Sequence, residues 1–94
     1  MPSEMYSPAH PGLVLSDYLG NHNITHVAKH IGVSRVTLSK ILNCRTGITA
    51  DMSLRLSAAL GTNPSFWLDI QSNYDTWQAR SRKRPRIRPL KIAA

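Results

Sequence analysis

Ninety-four residues, 41% of them apolar, suffice for one small domain with a modest core. The single cysteine rules out an internal disulfide and fits a reducing, cytoplasmic setting; no apolar run reaches membrane-span length, and the N-terminus lacks a signal-peptide layout. The net charge of +7 is concentrated at one end: up to Gln78 five basic and five acidic residues cancel, and Arg80, Arg82, Lys83, Arg84, Arg86, Arg88 and Lys91 follow with no acid. Such a tail attracts polyanions.

In chain order, Met1–His10 holds two prolines and two serines with little periodicity and reads as a flexible arm. A first helix is expected from Pro11, whose missing N–H costs nothing in a first turn. Val14, Leu15, Tyr18 and Leu19 form its apolar face, and Gly20 ends it. Asn23 then caps a second helix over Ile24–Ile31, with Ile24, Val27, Ala28 and Ile31 at i, i+3, i+4, i+7. Gly32 breaks the pattern, Val33 plugs the turn, and Ser34 caps a third helix over about Arg35–Asn43. Leu38, Ile41 and Leu42 are its apolar stripe. Two short helices joined by so tight a turn make a helix-turn-helix, a shape the DNA major groove admits.

Cys44–Ile48 reads as a loop. Thr49 caps a fourth helix, with Asp51 favouring the positive end of its dipole and able to pair with Arg55 one turn on. Met52, Leu56, Ala59 and Leu60 share a face, and Gly61 stops the helix. Asn63–Pro64 has the pattern of a cap with proline at the first helical position, so a fifth helix is expected to begin there and to fray after about Arg80. Trp67, Ile70, Tyr74 and Trp77 fall along it at spacings of 3, 4 and 3. With no strand pattern, the expected class is all-α: five helices over residues 11–79, between an arm at 1–10 and a flexible basic tail at 80–94.

The residues outside the apolar stripe of the third helix suggest its use. Arg35, Val36, Ser39 and Lys40 lie within one turn of each other, near the end that a recognition helix aims into the groove. Arginine and lysine bond guanine O6 and N7, and valine packs on a thymine methyl. Asn23, Ser34, Thr37, Asn43, Arg45 and Thr46 are short polar or basic groups, or helix-terminal positions, suited to phosphate. The alternative is a solvated face on a module that no longer reads DNA. Phe66, Trp67, Tyr74 and Trp77 are candidates for a dimer or partner contact; at helical spacing core packing is the favoured role for Trp67, with Ile70, and Trp77 is the better interface candidate.

Other chemistry finds little support. His26 and His30 are at metal-sharing i, i+4 spacing, but His22 precedes the cap and no third ligand converges, so neither metal nor cofactor is expected. Cys44 beside a histidine lacks any recognisable oxyanion site or orienting carboxylate, so no enzyme is expected.

The opening HPGLVLSDYL, the segments VAKHIGVSRVTLSKILNCRTGIT and MSLRLSAALGTNPSFW, and the ending WLDIQSNYD together resemble the HigA-type antitoxin and plasmid-maintenance regulators of the lambda-repressor-like helix-turn-helix class. The resemblance covers roughly Pro8–Trp77. It departs at Cys44, where the family usually has glycine, which leaves Asn43 to take the left-handed conformation. It departs also at Leu13, where an acid is common, and in the basic tail. It implies a homodimer on a palindromic operator at its own promoter, and a HigB-type, RelE-like mRNA-cutting toxin as partner. A stand-alone phage- or plasmid-type repressor, or an interaction module with the helix-turn-helix as mere scaffold, are the competing functions. For the tail ARSRKRPRIRPLK three roles compete: lying along DNA phosphates, docking on the partner, or none; the first is favoured.

Overall fold

The computed structural model describes residues 7–92, so most of the expected N-terminal arm, residues 1–6, lies outside the described part, as do 93–94. Among the described residues there are five helices and no strand: α1 Pro11–Leu19, α2 Ile24–Ile31, α3 Arg35–Leu42, α4 Ala50–Leu60 and α5 Phe66–Arg80. None is long and apolar enough to cross a membrane.

One core holds them together. Leu15, Leu38 and Trp67 are wholly buried, and Leu19, Ala28, Ile31, Ile41, Ile48, Met52 and Leu56 complete the cluster. Each large apolar side chain so buried contributes about 1.5–3 kcal/mol. α1 sits against α3 and α5, α2 against α3 and α4, and α4 against α5. The α1–α3 approach is close because position 12 has no side chain: a Cβ there would overlap the Ile41 carbonyl oxygen.

The caps follow the short polar residues. Asn23 Oδ1 accepts from the His26 N–H at 3.0 Å, Ser34 Oγ from the Thr37 N–H at 3.0 Å and Thr49 Oγ1 from the Met52 N–H at 3.2 Å. At the first helix the cap is His10, not expected from sequence: its Nδ1 accepts from the Gly12 N–H at 2.9 Å.

Four details differ from expectation. Tyr18 is 47% exposed and lies over the Phe66 and Trp67 rings rather than within the α1 core face. In α4 Ala59 is exposed, and the buried positions beside Met52 and Leu56 are Ser53 and Ser57. Their hydroxyls donate to the Pro64 and Asn63 carbonyls, both at 2.8 Å, so the α4–α5 turn is tied down by polar groups. α5 begins at Phe66 rather than at Pro64, because Asn63 Oδ1 accepts from the Ser65 N–H and Asn63 O from the Phe66 N–H, closing a turn before the helix starts. Finally, α3 ends at Leu42, with Asn43 as its C-cap.

Desolvation lowers the His10 pKa from the ordinary 6.5, opposed by the raising effect of Asp75. The unfolded chain therefore takes up this proton more readily than the folded one. The stability contributed by neutral His10 is full above about pH 6.5 and falls as pH drops through the lowered folded value. Thermal melts of wild type and His10→Asn, which keeps a capping acceptor without a titrating ring, should diverge in slope. Wild type should lose more Tm between pH 7.5 and 5 than the variant; parallel profiles would refute the cap's role.

Candidate nucleic-acid interface

The orientation of α3 is set from both ends. At its start, α2 terminates on Gly32, whose φ of 79° is the left-handed conformation glycine takes without Cβ strain. Gly32 N–H donates to Lys29 O and Val33 N–H to Ala28 O, the paired bonds of a Schellman turn. Arg55 reaches across from α4: its Nε meets Asp51 Oδ2 at 2.8 Å, and its Nη1 donates to Ile31 O at 2.8 Å and Gly32 O at 3.3 Å. The ion pair expected from the Asp51–Arg55 spacing thus also holds the guanidinium over the last carbonyls of α2, fixing the turn from which α3 departs. Sequence periodicity gave no hint of the second role, since the partners are 24 and 23 residues away.

The far end of α3 closes in a second Schellman turn. Cys44 N–H donates to Ile41 O at 3.0 Å and Arg45 N–H to Lys40 O at 2.8 Å. The residue in the left-handed region is Cys44, at φ 59°, whereas Asn43 has φ −92°. The expectation that Asn43 would take this conformation is therefore corrected: the bonding pattern requires positive φ one residue past the cap, whichever residue stands there. Asn43 helps differently, its Nδ2 donating to Ser39 O at 2.9 Å and Ser39 Oγ at 3.2 Å. The loop beyond is held by buried Gln71 of α5, whose Oε1 accepts from the Ile48 N–H at 2.7 Å and whose Nε2 donates to Asp75 at 2.9 Å. Gly47 lies against this amide, with no room for a Cβ.

So fixed, α3 buries Leu38 and Ile41 and turns its other side outward. Arg35, Val36, Ser39, Lys40, Asn43 and Arg45 line one shallow hollow on this face. Val36 is 64% exposed, an apolar group no core claims. Among the described residues the Arg35, Lys40 and Arg45 side chains make no hydrogen bond or ion pair, whereas Ser39 holds the Asn43 amide. Ser34 and Thr37 are likewise engaged, Ser34 Oγ donating to Thr37 Oγ1 at 2.8 Å. Asn23 is occupied as a cap at the start of α2, and Thr46 is exposed in the loop.

The charge is distributed accordingly. Although residues 1–78 are neutral in sum, residues 18–50 carry Lys29, Arg35, Lys40 and Arg45 and no acid, a local +4. The acids stand before and after, at Glu4, Asp17, Asp51, Asp69 and Asp75. A count over the whole neutral stretch conceals this segregation.

The aromatic candidates separate. Trp67 is wholly buried with its Nε1 donating to Thr62 Oγ1 at 3.1 Å, so it belongs to the core and not to a contact surface. Phe66, Tyr74 and Trp77 are half-buried; Tyr74 packs edge-on to His10 at 4.9 Å and tilted to Trp77 at 5.8 Å. The His26 and His30 rings stack at 6.4 Å, and among the described residues no three His, Cys, Asp or Glu side chains converge as a metal set.

The helix-turn-helix family profile matches residues 15–67, more than half of the chain. The chain belongs to this family. It is 41% identical over 93 residues to virulence-associated protein A' of Dichelobacter nodosus, a match covering 95% of this chain and 80% of that protein. An addiction module antidote protein of a HigA family from Coxiella burnetii superposes with a TM-score of 0.75 at 39% identity, over 78% of this chain and 83% of that one. Antitoxin HigA of Pseudomonas aeruginosa, solved with the higBA promoter, superposes with a TM-score of 0.75 at 32% identity, over 79% and 84% of the two chains. The lambda-repressor-like, all-α fold and the HigA relationship expected from sequence are both established by these matches.

The left-handed cysteine permits a direct test. A non-glycine residue there is strained by about 1–2 kcal/mol, partly offset by the extra unfolded-state entropy of glycine, about 0.5–1 kcal/mol. Cys44→Gly should therefore raise stability by about 0.5–1 kcal/mol, seen as a Tm a few degrees higher. A lower Tm would show that the thiol makes a stabilising contact.

Proposed function

We propose that this chain is a sequence-specific DNA-binding antitoxin that represses its own operon and neutralises an mRNA-cutting toxin of the RelE-like kind, such as a HigB-type protein. The observation that carries the DNA half is the outward face of α3: Arg35, Val36 and Lys40 are exposed and the two cations are unpaired among the described residues. Groups that the fold does not need stand where a recognition helix meets base edges. A relative of the same fold bound to its promoter supports the reading.

In this mechanism Arg35 and Lys40 donate to guanine O6 and N7, and Val36 packs on a thymine methyl. Ser39 remains a base contact only where its hydroxyl keeps a lone pair beside the Asn43 amide. Arg45 and Thr46, on the loop held by Gln71, face the phosphates, together with the Ser34–Thr37 and Asn23 helix starts. One domain covers a single half-site. Two copies, with recognition helices about 34–36 Å apart, read a palindrome on one face of the duplex. The half-buried Phe66, Tyr74 and Trp77 are the contact candidates that remain for the second copy or the toxin.

The antitoxin half rests on kinship with an antidote protein of a HigA family. That kinship favours an antitoxin over a stand-alone repressor. Alanine at Arg35 or Lys40 should weaken binding to a duplex covering the chain's own promoter, by about 1–3 kcal/mol for each base-edge pairing removed, and relax sequence preference with Tm nearly unchanged. A gel shift as tight as wild type in both variants would overturn the base-reading assignment. Co-expression with the adjacent reading frame should yield a stable complex and relieve any growth arrest that frame causes alone. A lone repressor would produce neither effect while still shifting its promoter.

A further inference from the structure

The basic tail remains unassigned by the fold. Beyond the α5 C-cap the chain forms no helix or strand among its described residues, and every described position from Ser81 to Ile92 is exposed. Ile87, Leu90 and Ile92 are 79–84% exposed, so the apolar groups of the tail do not dock on the body of the domain. Pro85 and Pro89 bar a continuous helix, and each pushes the residue before it, Arg84 and Arg88, toward extended backbone.

Its departure point is set by tertiary structure. Tyr74, Asp75 and Gln78, on the last turns of α5, line one hollow together with Cys44, Arg45, Thr46 and Gly47 of the loop after α3. Arg84 then folds its Nη1 back onto the Ala79 carbonyl at 2.6 Å, closing the helix end. The tail therefore leaves the domain beside the loop at the far end of the α3 face. Gln78, three residues before Ser81, shares that hollow with Arg45 and Thr46.

Spacing supplies the third observation. Arg82, Arg84, Arg86 and Arg88 recur every second residue. Alternate residues of an extended chain share one edge, so these guanidiniums form a single row once Arg84 exchanges the Ala79 carbonyl for a phosphate. At about 3.3 Å per residue, the strand-like rise at which alternate side chains align, the ten residues from Arg82 to Lys91 span about 30 Å, close to one turn of duplex, about 34 Å. A row of cations at two-residue intervals matches a polyanion of regular charge spacing.

We infer that the tail is a second DNA-binding arm, whose arginine row lies along the phosphate backbone flanking the base pairs read by α3. The inference rests on the proposed operator binding. The arm adds affinity without sequence preference, because guanidiniums on phosphates read charge rather than base edges. It also extends the contacted duplex beyond the recognition helices.

The test compares the full chain with R82Q/R84Q/R86Q/R88Q on three duplexes: the promoter site with flanks, the same site trimmed to the base pairs under the recognition helices, and a random sequence of the flanked length. Binding is measured across NaCl concentrations. On the flanked duplex the variant should bind more weakly, with a log–log salt slope shallower by about 3–4 per engaged tail (four phosphates at about 0.9 each). The ratio of promoter to random-sequence affinity should be unchanged, and trimming the flanks should erase most of the difference between the two proteins. Equal affinities and slopes on the flanked duplex, with Arg35→Ala still impaired, would overturn the arm and leave operator reading intact. Loss of toxin co-purification with unchanged DNA slopes would likewise overturn it, assigning the tail to the protein partner. If wild type shows no preference for the promoter duplex, operator reading itself fails and the inference falls with it.

Discussion

Leu38 and Ile41 carry the arrangement on which the rest depends. Wholly or almost wholly buried, they hold one side of an eight-residue helix beneath α1, and the absence of a side chain at Gly12 lets the two backbones meet. So short a helix is not stable alone; its geometry comes from burial of that one side. Because only that side is used, the opposite side is left free, and it holds Arg35, Val36 and Lys40. Anchoring and exposure are two consequences of the same narrow stripe.

Rigidity at the two ends of α3 has polar origins. Arg55 covers the α2 carbonyls before it, and Gln71 holds the loop after it. Ser53 and Ser57 do the same for the α4–α5 turn by bonding the Pro64 and Asn63 carbonyls. Buried polar groups are costly unless paired, and among the described residues no buried side-chain nitrogen or oxygen lacks a partner. In a domain whose core is small, these few bonds set the angle at which α3 is presented. An interface reading base edges needs its side chains held on a rigid support.

Electrostatics divides along the same lines. The domain body is neutral in sum, yet its acids lie outside residues 18–50, and the remaining excess is carried by a tail that leaves next to the loop after α3. Positive charge thus continues from the outward face of α3 into the segment beyond α5 rather than being spread over the surface. Long-range attraction of a polyanion follows from net charge, but its placement against a groove follows from this segregation.

Much of the molecule was readable without coordinates. Helix periodicity at Ile24–Ile31, the caps Asn23, Ser34 and Thr49, and breaks at Gly20, Gly32 and Gly61 are local signals, set by backbone conformation and near-neighbour bonds, and they placed α1–α4 within a residue or so. The outward positions Arg35, Val36 and Lys40 on α3 are legible for the same reason, since helical spacing alone separates them from Leu38 and Ile41; that Ser39 is half-buried against the Asn43 amide is not. What local pattern left open was decided by contacts between distant segments. His10 as a cap, Ser65 rather than Asn63 before α5, and Cys44 rather than Asn43 in the left-handed position each depend on which bonds the assembled chain can close. Trp67 in the core, Tyr18 on its rim, the second task of Arg55 and the hold of Gln71 on the Ile48 amide depend on partners 20 or more residues away, or on packing that spacing cannot distinguish from surface. Local sequence specifies where helices begin and end; the angle, the hidden faces and the exit of the tail arise only when those helices bury one another.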